Sequence, residues 1–181
     1  MKMAKVEMMI WVVVLVGYLS QPLLAIMPTE LNLGDLGVVK VVEGTPPPET
    51  TGRFDKLVLM PPSGTGEGKV IFETEGRILE KWEIVSLAGT ESRQLLLTLD
   101  PGGNGGFKEF ALLVPMNQGF EVIWEETMKM GSAEVKDVNG DQKPDLVLTG
   151  TEMDPATGKV RPQTMEFTWT DGKLLALSQP E

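Results

Sequence analysis

The stretch Asp137-Val138-Asn139-Gly140-Asp141-Gln142-Lys143-Pro144-Asp145 places four oxygen-bearing side chains, Asp137, Asn139, Asp141 and Asp145, around a glycine. That spacing suits a hard divalent cation. Calcium takes about six to eight oxygen ligands at about 2.3–2.6 Å from flexible loops. Three carboxylates and one amide supply most of that shell, and the carbonyl of Lys143 is the natural fifth donor. Two carboxylates about 5 Å apart repel by about 3 kcal/mol at an effective dielectric of about 20. Three converging acids therefore call for a neutralising ion or for screening water. The competing reading is a solvated Asn-Gly turn whose acids point outward.

The elements around the loop decide what kind of site it is. An EF-hand needs glycine at its sixth position and a bidentate glutamate at its twelfth. Counted from Asp137, those places hold Gln142 and Leu148. The run Leu146-Val147-Leu148 reads as a buried strand, not an exit helix. The metal is thus expected where the chain enters a strand. The stretch resembles the calcium loop of FG-GAP/VCBS-type repeats, the units of integrin-like β-propellers. Gln142 departs from that pattern, which usually has glycine there. A side chain then stands where the backbone often takes positive φ. The resemblance implies an extracytoplasmic binding or adhesion module with structural calcium, not a catalyst.

An internal repeat extends this picture. Shifted by 51 positions, Ile84-Val85-Ser86-Leu87-Ala88-Gly89-Thr90 lies on Val135-Lys136-Asp137-Val138-Asn139-Gly140-Asp141, and Gln94-Leu95-Leu96-Leu97-Thr98 lies on Asp145-Leu146-Val147-Leu148-Thr149. The apolar triplets and the glycine survive, but Ser86, Ala88, Thr90 and Gln94 replace the ligands, so the earlier copy is not expected to hold calcium. Each copy continues with a second strand (110–114 or 165–169), a tight turn, and a third strand (120–124 or 174–177). A fainter copy has strands over 56–60, 70–74 and 78–83. Periods of about 40–50 residues mark propeller blades or stacked arrays. The expected fold is all-β, with about three degenerate blade-like antiparallel units over 56–181. Three units are too few for a closed propeller, which needs at least about four blades. They form a partial propeller or a compact β-sandwich, or are completed by another molecule, for instance as a homo-oligomer.

Residues 1–27 read as a signal peptide or a membrane anchor: Lys2 and Lys5 precede an apolar core, and Gln21-Pro22 breaks it. Uncleaved, residues 8–27 would tether the chain to a membrane. Residues 28–55 read as a leading strand, within 36–43, and a proline-rich linker around Pro46-Pro47-Pro48. The expected location is extracytoplasmic: secreted, periplasmic or in the cell envelope.

Composition bounds the chemistry further. The chain carries 16 basic and 26 acidic residues; without Lys2, Lys5 and Glu7 the balance is 14 against 25, a formal charge of −11. Such a surface argues against nucleic-acid partners, which need basic patches. The expected partner is a protein or a surface glycan. There is no cysteine and no histidine, which removes disulfides, Ser-His-Asp and Cys-His nucleophiles and zinc–histidine sites. Pro62-Ser63-Gly64-Thr65-Gly66-Glu67-Gly68-Lys69 has faulty phosphate-loop spacing and leads into a strand, so it reads as a hairpin connection. Trp82, Trp124 and Trp169 lie in strands and are expected in the core, not on a glycan-stacking platform. The rivals are a membrane-tethered envelope assembly protein without required metal, and a carboxylate-based hydrolase, which would need two converging acids in a deep pocket.

Overall fold

The computed structural model describes residues 27–46, 48, 52–64, 66–89, 92–117 and 119–177. The sequence-expected leader therefore lies outside the described residues, apart from Met27. Among the described residues no helix is long and apolar enough to cross a membrane.

The chain is all-β and folds into two antiparallel sheets. β1 (Glu30–Asn32), β2 (Val38–Glu43), β3 (Asp55–Met60) and β4 (Lys69–Glu73) form a four-stranded meander in that order. β5 (Ile78–Val85), β6 (Gln94–Asp100), β7 (Phe107–Met116), β8 (Gly119–Lys136), β9 (Asp145–Met153), β10 (Val160–Thr170) and β11 (Lys173–Ala176) form a seven-stranded meander. Residues 28–55 do more than lead in: β1 and β2 pair onto β3 within the first sheet, so the expected leading strand is interior and β1 is the edge. The strand over 78–83, grouped by sequence with the first unit, instead pairs with β6.

Both faces of the β6–β7 region are buried. Leu95, Leu97, Leu99, Ala111 and Leu113 pack with Val39, Leu57 and Phe72 of the first sheet and with Leu33 of the β1–β2 connection. Leu96, Phe110 and Leu112 belong to a second cluster with Leu146, Leu148 and Phe167. Burial on both faces explains why these strands read as continuous apolar runs and not as alternation. Trp82 is buried in the first cluster, and Trp124 and Trp169 are half-buried against the second.

The second cluster forms because β8 turns a corner. Its first part pairs with β7 and its last part with β9, with the register shifting between Lys129 and Ser132. Met130 takes φ 52°, and its N–H donates to the Gly106 carbonyl at 2.7 Å. A bulge of this kind bends and twists a strand. The sheet folds back far enough for the Trp124 ring, on the first part of β8, to meet Phe167 of β10 edge-on at 5.1 Å.

The ladder carries the sequence repeat. Val85↔Gln94, Ile84↔Leu95, Glu83↔Leu96, Trp82↔Leu97, Lys81↔Thr98 and Ile78↔Asp100 recur 51 positions later as Lys136↔Asp145, Val135↔Leu146, Glu134↔Val147, Ala133↔Leu148, Ser132↔Thr149 and Lys129↔Thr151. The register shift recurs at the matching place in both. A buried polar residue also opens one strand in each stretch: Asp55 in β3, third in its sheet, and Gln94 in β6 and Asp145 in β9, each second in its repeat.

Candidate metal loop

Residues 137–144 connect β8 to β9, so the acidic loop does lead into a strand. Its side chains first satisfy its own backbone. Asp137 accepts the N–H of Gly140 through Oδ1 at 2.7 Å and that of Gln142 through Oδ2 at 2.9 Å. Asn139 Oδ1 accepts the Asp141 N–H at 2.9 Å, and Asp141 Oδ1 accepts the Lys143 N–H at 2.9 Å. The bonds of Asn139 and Asp141 are Asx turns, in which a short side chain stands in for a backbone acceptor two residues before the donor. Gly140 takes φ 81° and Gln142 φ 66°, so the glutamine occupies the left-handed conformation expected of that position.

Asp145 differs from the other four residues. Asp137, Asn139, Asp141 and Lys143 are exposed, whereas Asp145 is fully buried. Its Oδ2 accepts the Val138 N–H at 3.1 Å, which turns the carboxylate towards the loop. Its Oδ1 is buried without a hydrogen-bond partner among the described residues. A buried polar atom left unmade costs about 1–3 kcal/mol, and more when charged. A coordinated cation would satisfy this oxygen.

The loop's other oxygens are not gathered into a cage. Among the described residues no three acidic side chains stand close enough together to hold a metal in this conformation. The physical reason is visible in the loop's own hydrogen bonds: each of Asp137, Asn139 and Asp141 is aimed at a backbone N–H. A carboxylate oxygen has two lone pairs, so these bonds leave acceptor capacity on Asp137 and Asp141. By type, Asp137, Asn139, Asp141 and Asp145 are hard-cation donors; Asp145 is the buried one and the other three lie exposed on the loop.

The earlier copy of the loop closes in the same way. Gln94, the counterpart of Asp145, accepts the Leu87 N–H through Oε1 at 3.0 Å, and Leu87 is the counterpart of Val138. Gly89 shares the positive φ of Gly140. The sequence reading counted Gln94 only as a lost ligand and missed that it keeps the loop-closing bond. The available signal was a polar residue directly ahead of an apolar run at both Gln94 and Asp145.

Two clefts lie away from the loop. One of about 470 Å³ runs beside β10 between Glu152 and Glu166, and one of about 630 Å³ lies between the β1–β2 connection and Arg93; neither includes a residue of the acidic loop. Comparison with protein-family models, with curated proteins and with solved structures finds no match to this chain.

Proposed function

We propose that this chain is an exported, calcium-binding β-repeat module of FG-GAP/VCBS type, used for contact with a protein or a surface glycan. Calcium reinforces the β8–β9 loop and takes no part in catalysis. The observation that carries this reading is the buried, unpartnered Oδ1 of Asp145, whose Oδ2 bonds the loop that also holds Asp137, Asn139 and Asp141. The repeated β5–β6 and β8–β9 ladders support three four-stranded units, β1–β4, β5 to the first part of β8, and the last part of β8 to β11. Extracytoplasmic placement follows from the leader-like first residues and from the family resemblance.

Affinity in such extracellular sites is about 10⁻⁴–10⁻³ M. At about 10 mM calcium the native state then gains roughly 1.4–2.7 kcal/mol by linkage. For a chain of this size that raises the melting temperature by roughly 3–10 °C. Isothermal titration with calcium chloride, with melts in calcium and in chelator, tests it. A single site with that shift is expected. Absence of binding heat together with superimposable melts would overturn the metal reading.

A further inference from the structure

The internal copy of the loop allows the roles of one carboxylate to be separated. At Gln94, a neutral side chain gives one oxygen to the Leu87 N–H and the loop closes. At Asp145, the same bond is made to Val138 by Oδ2, and a second oxygen is left buried and unpartnered. Closing the loop therefore requires one acceptor oxygen, not a carboxylate. The extra oxygen carries a desolvation cost that the neutral copy avoids.

We propose that Asp145 divides its two oxygens between the fold and a ligand: Oδ2 closes the loop, and Oδ1 is the anchor that decides whether a hard divalent cation binds. This rests on the calcium reading above and deepens it. The rim residues Asp137, Asn139 and Asp141 tune affinity from solvent-exposed positions and already engage the backbone. The loop is thus formed before the cation arrives. Binding fills a prepared place and does not fold the protein.

The test compares Asp145→Asn, Asp145→Ala and Asn139→Ala with the unaltered chain, using titration with calcium chloride and thermal melts in chelator. An asparagine oxygen can take over the Val138 bond, as Gln94 does for Leu87. Asp145→Asn should melt in chelator within about 3 °C of the unaltered chain, since a lone hydrogen bond of this kind is worth about 1 kcal/mol and here is retained. It should lose calcium affinity at least roughly tenfold, a buried charged ligand being worth about 1.4 kcal/mol or more. Asp145→Ala should lose both affinity and chelator stability. Asn139→Ala should weaken binding only a few-fold. If Asp145→Asn binds calcium like the unaltered chain, the division of roles is wrong while the calcium reading stands. If it melts as low in chelator as Asp145→Ala, the division is also wrong. If the unaltered chain binds no calcium, the underlying reading fails instead.

A second variant guards against misfolding of the first set. Gln94→Glu puts a carboxylate where the Leu87 N–H and the Ser92 hydroxyl donate to a single oxygen, in a loop whose Ser86 and Ala88 bring no carboxylate to a cation. It should lower the melting temperature, with no recovery in calcium. A melt unchanged from the unaltered chain would show that a lone oxygen at this place is costless, and would remove the reason for assigning it to a ligand.

Discussion

Gln142 sits at φ 66°, a conformation that costs a non-glycine residue about 1–2 kcal/mol. Gln142→Gly should relieve that strain, less the extra freedom glycine gains when unfolded, and so stabilise by about 0.5–1 kcal/mol. Thermal melts in chelator read this directly; a lower melting point would show that the side chain is held by something other than its backbone. Charge at single residues also sets the pH response. Asp154 accepts the N–H groups of Ala156 and Thr157, and these bonds hold its carboxyl below the ordinary 3.8. Asp100 is held low by its hydrogen bond from Lys108, then by the Gly102 N–H. For both, the folded pKa lies below the unfolded one, so their stabilisation is complete above the ordinary value and is lost as pH falls through the folded value. Burial opposes the charge on Lys108, but bonds to Glu80 and Asp100 outweigh it and raise its pKa above 10.5. That contribution is present below the ordinary value and is lost as pH rises through the folded one. Urea midpoints should therefore be flat from about pH 5 to about pH 9 and fall on either side. Asp154→Asn should soften the acid limb and leave the alkaline limb in place. The loop's oxygen-bearing side chains were legible in the sequence because they are side-chain identities at fixed spacing. That Asp145 is buried with one oxygen unpartnered was not legible, since that depends on how β9 packs. Gln94's role was hidden because an amide can replace a carboxylate in the bond that matters for closure.

At the scale of strands, the corner of β8 depends on two small residues. A Cβ on Gly131 would stand 3.0 Å from Met128 Cβ and Phe110 Cε2; one on Gly150 of β9 would stand 2.7 Å from the Lys129 carbonyl oxygen. Neither glycine needs positive φ here, so space is the constraint. Gly150→Ala should destabilise by about 1–3 kcal/mol, as overpacking does, with the loss seen in the urea midpoint. A neutral result would mean that the strands around the corner shift readily. Arg77 ties the two sheets: its Nε donates to the Thr74 carbonyl at 2.8 Å, its Nη1 to Glu109 of β7 at 3.1 Å, and its guanidinium lies 5.4 Å from the Phe72 ring centre. Its side chain is only about one-fifth exposed. Arg77→Ala should cost about 1–2 kcal/mol, more than an exposed pair would. The strands themselves were readable from apolar triplets and turn glycines. Their grouping was misjudged at β5, because an edge strand carries no signal saying which neighbour it will pair with.

For the whole molecule, burial is graded from the centre outwards. β6 and β7 are covered on both faces, whereas β1 and β11 are short edge strands. Amide exchange should be slowest in β6 and β7, intermediate in β3 and β9, and fastest in β1 and β11. Equal protection across all strands would contradict this layering. The all-β class and the repeat were legible because alternating and continuous apolar runs report burial directly. The folded-back sheet was not, because its cause is a one-residue register shift near Met130, where no proline or turn motif marks the bend.

β8 runs unbroken through that corner and serves the sheet on both sides of it. No linker separates the packed layers, so there is no hinge on which one could pivot against the other. Tension applied across the bend travels along a single cross-bonded ribbon, and the layers must yield together or hold together. A surface-attached chain built this way would behave as a stiff strut, and a proteolytic nick within 128–133 would cripple both halves instead of releasing one.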